Sequence, residues 1–232
     1  MKNVLVTWDI DGTLITGTDA AVEIHQNAFK QACEEIFSQP CDVPDKFLGV
    51  SLNGFMDQKI LKMMYEKLGS PPTEELMNRG IHRMEEIFLE QCSVVPQIAS
   101  GVSEMLATLS AMPNVTIGVA SGNWPRIAWR KLELAHLEEY FRKDGIAKLG
   151  FFDDRRFALE EARKEAEAKK GAKMDICIHI GDTVGDVNAA ISAGFIAIAV
   201  RTGRTAHEYP QPSYVFDTVE AGREQILNII NQ

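Results

Sequence analysis

Val4-Leu5-Val6-Thr7-Trp8-Asp9-Ile10-Asp11-Gly12-Thr13-Leu14 is a short apolar run that ends in an acidic turn. Residues 4–8 have the length and composition of a buried strand. Asp9 and Asp11 then flank one residue, and two like charges this close cost energy unless a cation or a shared proton offsets them. A hard divalent ion such as Mg²⁺ suits oxygen ligands and phosphate substrates. One carboxylate of such a pair can attack phosphorus while the other serves as acid and base. Gly12 permits the tight turn. The competing reading is a polar loop whose Asp caps a helix. It would account for an isolated Asp-Gly, but not for the whole string behind this strand.

Two further strand ends carry polar residues. Ile176 to Ile180 is a strong strand followed by Gly181-Asp182-Thr183-Val184-Gly185-Asp186. Asp182 falls at the strand end and Asp186 about one turn onward. Alone, this fits a turn with a helix-capping Asp as well as it fits a site; a second acidic pair at a second strand end turns the reading to metal binding. Thr116 to Ala120 is a strand ending in Ser121-Gly122-Asn123, with Pro125 suited to the first turn of the next helix. Small polar residues commonly cap helices there. Hydroxyl, amide and helix N-terminus together also bind phosphate oxygens, and the company of the acidic motifs favours that role.

Outward from these motifs, the apolar stripe Ile24, Ala28, Ala32, Ile36 follows Asp19 at helical spacing. Helical signal runs from about Ser51 to Cys92, broken at Gly69-Ser70-Pro71-Pro72, and no strand pattern appears between residues 16 and 93. After Pro96, helices and strands alternate: a helix over 101–111, the Thr116 strand, a helix towards Leu134, a weaker strand over 146–152, a charged helix over 157–170, the Ile176 strand, a helix over 187–193, a strand over 196–200 and a last helix near 220–230. Alternation predicts an α/β fold, a parallel sheet with helices on both faces. The helical block predicts an insertion into the first crossover. Residues 1–15 and 96–232 form the core in this reading, and 16–95 an all-helical cap hinged near Thr16-Gly17-Thr18 and Pro96. Ligands of open α/β sheets bind beyond the carboxyl ends of the strands, where all three polar motifs lie.

The chain has 232 residues, enough to bury about 70% of its unfolded surface without a staple. Its 33 acidic residues outnumber 24 basic ones, giving a net charge of −9. That balance opposes general nucleic-acid binding but leaves room for a small phosphorylated ligand held by local donors. Cys33, Cys41, Cys92 and Cys177 form no C-x-x-C or zinc pattern and read as reduced thiols. No stretch is long enough to span a bilayer, and the first apolar run is too short for a signal peptide. The expectation is a soluble cytoplasmic protein, with an oligomeric state that the sequence leaves open.

Taken in order, the strand with Asp-x-Asp-Gly-Thr-Leu, the helical block, the strand with Ser121, a basic residue and Gly-Asp-x-x-x-Asp resemble the haloacid dehalogenase-like superfamily. The likeness is to its phosphoglycolate phosphatase-like and β-phosphoglucomutase-like members. The resemblance implies a Rossmann-like α/β core with a mobile helical cap inserted after the first motif, and Mg²⁺-dependent phosphoryl transfer through an aspartyl-phosphate. Asp9 would be the nucleophile, and Asp11 would protonate the leaving oxygen and then activate water. Thr13 would orient the loop and, with Ser121, Gly122 and Asn123, belong to the phosphate-binding set. Asp9, the main-chain carbonyl of Asp11 and Asp182 would hold the metal, with Asp186 acting through water or holding the site's shape.

The family's third motif often carries Lys-Pro, which this chain lacks. Arg156 is preferred for that basic role, then Arg155, then Lys148. Arg156 is expected to reach back to the strand ends and Arg155 to point elsewhere. The reading is a phosphatase acting on a small phosphorylated metabolite. The alternatives are a β-phosphoglucomutase-type phosphosugar mutase and a non-catalytic phosphate-ligand binding protein. His25 and His82 read as cap-surface residues, His179 as a core histidine, and Trp124 as a packing residue.

Overall fold

The computed structural model describes residues 1–142, 145–204 and 208–232. The first strand, β1 (Val4–Trp8), is buried along its whole length, as a strand covered on both faces must be. The chain turns through the acidic loop into β2 (Ile15–Thr16) and enters four helices, α1 (Asp19–Phe37), α2 (Pro44–Leu48), α3 (Asp57–Lys67) and α4 (Glu74–Gln91). It returns through β3 (Gln97–Ile98) to α5 (Val102–Ser110), β4 (Val115–Ser121), α6 (Pro125–Leu134), α7 (Glu139–Arg142) and β5 (Ile146–Leu149). The remainder is α8 (Arg155–Lys170), β6 (Ile176–Gly181), α9 (Val184–Ser192), β7 (Ile196–Val200), β8 (Tyr214–Phe216) and α10 (Val219–Ile230).

Six strands form one sheet in the order β5-β4-β1-β6-β7-β8, every neighbouring pair parallel. Alternate side chains of β1 serve opposite faces: Val4, Val6 and Trp8 join one apolar cluster and Leu5 another. The register sets Trp8 beside both Val119 and Ile180. The residues at the ends of these strands, Asp9, Ser121 and Asp182, therefore emerge at one edge, where β1 stands between β4 and β6.

The four inserted helices build a separate cluster from Ala28, Phe29, Leu61, Met64, Tyr65, Met84 and Phe88, completed by Trp124 and Ile127 of the sheet-bearing part. Thr73 accepts from the amide of Leu76 to start α4, as the Pro71-Pro72 break predicts. Both connections to the block meet in one antiparallel ribbon, Ile15 opposite Ile98 and Thr16 opposite Gln97. Among the described residues, no helix is long and apolar enough to cross a membrane.

The differences from the sequence reading lie at element ends. α3 begins at Asp57, not near Ser51, because residues 51–56 run as a loop against the sheet-bearing part. A Cβ on Gly122 would meet the carbonyl oxygen of Phe55 at 2.6 Å, so this close approach requires glycine. β8 and α7 carry too few residues for a periodic signal. α8 begins at Arg155, two residues before the expected start, and α9 at Val184, three before; the first of these shifts alters the site.

Candidate active site

The amide of Asp9 donates to the Ile180 carbonyl at 2.9 Å, extending the β1–β6 pairing one residue and fixing Asp9 at the sheet edge. Gly12 turns the loop with a φ of +81°, and a Cβ there would stand 2.5 Å from Asp182 Oδ2. Glycine thus serves both the turn and the contact. Thr13 is fully buried, and its hydroxyl donates to Asp182 Oδ1 at 3.2 Å. It braces the two acidic loops against each other and does not line the cleft described below.

Asp186 is the third residue of α9 and closes a capping box with Thr183. Its Oδ2 accepts from the Thr183 amide at 2.9 Å. Its Oδ1 meets Arg155 Nη1 at 2.7 Å and His179 Nε2 at 3.3 Å. His179 is buried, and its other ring nitrogen is paired with Thr7 Oγ1 at 3.0 Å. Both Asp186 oxygens are therefore engaged by the protein, an arrangement suited to shaping the site.

The basic position is occupied by Arg155, the reverse of the expected geometry. Asp154 caps α8 by accepting from the Arg156 amide at 2.8 Å, which makes Arg155 the first helical residue. Arg155 is 6% exposed and Nη1 lies 2.5 Å from Asp9 Oδ1 and 3.1 Å from the Ala120 carbonyl. Arg156, one residue and about 100° further round the helix, is half-buried, lies over the Phe157 ring and pairs with Glu160 at 3.8 Å. Lys148 is paired with Glu165 at 2.7 Å on α8. Neither Arg156 nor Lys148 reaches the carboxylates.

Ser121 and Asn123 are buried beside this cluster. Asn123 Nδ2 donates to Ser121 Oγ at 3.2 Å and to Asp11 Oδ2 at 3.0 Å. Lys131, on α6 and 2% exposed, donates to Asp11 Oδ2 at 2.6 Å and Asn123 Oδ1 at 2.5 Å. Sequence reasoning passed over Lys131; the available signal was a lysine among Ile127, Ala128 and Leu132 on the apolar face of the helix after the phosphate loop.

Above these groups lies a cleft of about 480 Å³, within the range of small-molecule sites. Its floor includes Asp9, Asp11, Ser121, Lys131, Arg155 and Asp182 and its roof Val22, His25, Gln26, Phe29, Leu52 and Phe55. His25 is not a surface residue. It is buried, stacked on Phe29 with ring centroids 5.4 Å apart, and 3.0 Å from Asp57 Oδ2. The same Asp57 oxygen accepts from the Trp124 amide at 3.0 Å, and the Asp57 amide donates to the Gly122 carbonyl at 3.0 Å. Trp124 is fully buried and packs edge-on against Phe151.

The electrostatics fit a cation. Asp9, Asp182 and Asp186 can each place one oxygen within 4.8 Å of the others. Burial, and then the charges of Asp186 and Asp9, push the Asp182 carboxyl up to about 9. Burial raises Asp9 as well, against the pull of Arg155. For Asp11, burial acts upward but is outweighed by the Lys131 ammonium, which holds the carboxyl below its ordinary range. For Asp186 the same contest goes to Arg155 and His179, and its carboxyl is lowered. Two carboxyls that resist ionisation at a site rich in buried oxygens are what a bound divalent cation relieves.

Comparisons with known proteins agree with this fold. The family model for haloacid dehalogenase-like hydrolases matches residues 4–194. No curated protein matches the chain. Among solved structures, β-phosphoglucomutase from Clostridium difficile is similar with a TM-score of 0.72 at 17% identity, over 100% of this chain and 98% of that one. A predicted phosphoglycolate phosphatase from Haemophilus somnus is similar at 0.66 and 15%, over 98% and 99%. A mutant of CbbY from Rhodobacter sphaeroides, in complex with xylulose-1,5-bisphosphate, is similar at 0.67 and 14%, over 94% and 95%. At these identities the likeness is one of fold.

Proposed function

We propose, for a chain that belongs to the haloacid dehalogenase-like hydrolases, a Mg²⁺-dependent phosphatase that hydrolyses a small phosphorylated metabolite through an aspartyl-phosphate. The observation that carries this reading is the pairing of roles at one sheet edge. Asp9 is held by Arg155 at 2.5 Å, while Asp11, two residues on, lines the cleft and keeps one buried carboxylate oxygen, Oδ1, without a hydrogen-bond partner.

In this reading an Asp9 oxygen attacks phosphorus as the bond to the ester oxygen breaks. As the phosphate dianion settles beside it and offsets the pull of Lys131, Asp11 takes up a proton, which it delivers to that leaving oxygen. Asp11 then takes a proton from water as the water attacks the phosphoryl group, which releases phosphate and restores Asp9. Arg155 and the donors of residues 121–123 stabilise the charge on the phosphoryl oxygens. Asp9, the Asp11 carbonyl and Asp182 would hold Mg²⁺, with Asp186 behind them; when bound, it neutralises charge on the transferring group. Residues 16–95 serve as the cap over a core of 1–15 and 96–232, hinged on the β2–β3 ribbon, and closure excludes water from the site.

Hydrolysis is favoured over phosphosugar mutation by the charges around the cleft. Among the described residues the Lys and Arg side chains lining the cleft are Arg155 and Lys131, both held by the acidic cluster, and Arg204, in an exposed pair with Asp19. A mutase must also hold the second phosphoryl group of a bisphosphate, which calls for further positive charge. The test is turnover of p-nitrophenyl phosphate and a panel of phosphorylated metabolites with and without Mg²⁺. Phosphate release that requires Mg²⁺ is expected; isomerisation of a sugar phosphate without phosphate release would establish the mutase instead.

A further inference from the structure

Among the described residues Lys131 is the one buried lysine, and a buried ammonium costs several kcal/mol unless it is paired and hydrogen-bonded. α6 carries its stem among apolar neighbours, with Phe88 of α4 facing the ammonium at 5.8 Å. The two partners on which it converges, Asp11 Oδ2 and Asn123 Oδ1, are themselves joined through Asn123 Nδ2 at 3.0 Å. Oδ2 of Asp11 thus takes two donors. Oδ1 takes none: it is buried, an unpaired acceptor that a substrate group entering the cleft would satisfy. The same asparagine holds Ser121 Oγ, so the group that fixes Asp11 also fixes the loop opposite.

We propose that Lys131 is a positioning residue for Asp11: it locks Oδ2 of the carboxylate to the phosphate loop so that Oδ1 is aimed at the ester oxygen of the bound substrate. This rests on the phosphatase reading above. It assigns Lys131 to the leaving-group half of the reaction, whereas Arg155 serves the nucleophile half. The consequence is selective. A group that aims the general acid matters most where the leaving oxygen needs a proton, as in an alkyl phosphate. It matters least for p-nitrophenyl phosphate, whose phenolate leaves readily.

The experiment compares kcat for glycerol 2-phosphate and p-nitrophenyl phosphate in wild type, Lys131→Met, Lys131→Arg, Asp11→Asn and the double variant Asp11→Asn/Lys131→Met. Lys131→Met is expected to lose about 100-fold on the alkyl ester and less than about tenfold on the aryl ester, with half-saturating Mg²⁺ unchanged. Lys131→Arg is expected to recover part of the loss. In the Asp11→Asn background, Lys131→Met should add little, because the two residues act as one unit. If Lys131→Met does not fold, Lys131→Gln, which keeps a donor without the charge, carries the same comparison. Equal losses on both esters, or a full further loss in the Asp11→Asn background, would overturn the inference and leave the phosphatase reading intact. A wild-type protein that hydrolyses neither ester with Mg²⁺ overturns that reading and this inference together.

Discussion

Arg155 Nη1 stands 2.5 Å from Asp9 Oδ1 and 2.7 Å from Asp186 Oδ1, so one buried nitrogen ties the end of β1 to the first turn of α9. Its charge is secure. Burial acts against it, but Asp186 and Asp9 outweigh burial and hold the guanidinium above its ordinary range. The proposed nucleophile is therefore oriented by a cation that is itself fixed from two sides.

Arg155→Ala should lower kcat by about 10²–10³-fold, the scale of losing a preorganised donor. It should also destabilise the fold by about 3–5 kcal/mol, because two buried carboxylates lose their partner. Arg155→Lys should retain more activity than Ala, since the contacts converge on one nitrogen. Arg156→Ala, at a half-buried helix position whose ion pair with Glu160 is long and partly exposed, should cost no more than about 1 kcal/mol of stability and stay near wild-type rate. Steady-state kinetics and urea unfolding of the three variants check this; an active Arg155→Ala would remove Arg155 from the site.

The contrast between these neighbours marks where the sequence stops being legible. Strand ends, acidic motifs and the helical block are readable because hydrophobic runs and short-range order define them. The choice between Arg155 and Arg156 depends on helix phase, and a two-residue shift in where Asp154 caps α8 exchanges the inward and outward positions. Lys131 carries one local mark, its place on the apolar face of α6, but its pairing with Asp11 and the His25–Asp57 pair depend on packing between segments distant in sequence, for which the chain carries no local signature.

Asp9→Asn should abolish turnover, because an amide is not a nucleophile towards phosphorus. It should leave the fold intact, since Arg155 retains Asp186. Activity below detection together with an unchanged far-UV circular dichroism spectrum is the expected result. Substantial Mg²⁺-dependent turnover by the pure variant would sink the covalent mechanism.

The stabilising effect of Mg²⁺ should grow with pH. The Asp182 carboxyl is displaced from 3.8 to about 9 in the folded protein. Between those values the folded, metal-free protein keeps a proton that the unfolded chain has released, so stability falls as pH rises through that window. The lowered carboxyl of Asp186 has the opposite sign: its contribution is present above the unfolded value and is lost only as pH falls below about 4. A cation bound at Asp182 displaces the proton, so the rise in Tm on adding Mg²⁺ should be larger near pH 8 than near pH 5. A shift equal at both, or absent, would argue against Asp182 as a ligand.

Asp57 is the last test, because it joins the proposed cap to the phosphate loop. Its carboxylate accepts from the Trp124 amide and lies against His25, while its own amide donates to Gly122. Asp57→Ala leaves the Trp124 amide unpaired in a buried place, a cost of about 1–3 kcal/mol. An open cap would expose that amide to water, so the cost falls on the closed state and the closing equilibrium shifts by about 5- to 150-fold. The expected result is a rise in KM of that order, with the Trp124 amide exchanging faster with solvent. Lys62→Ala removes a second cap-to-core pair, Lys62–Asp153 at 2.7 Å. That pair is partly exposed and worth about 0–1 kcal/mol, so KM should change by no more than about fivefold. An Asp57→Ala enzyme with wild-type KM and unchanged exchange at Trp124 would show that closure does not depend on this link.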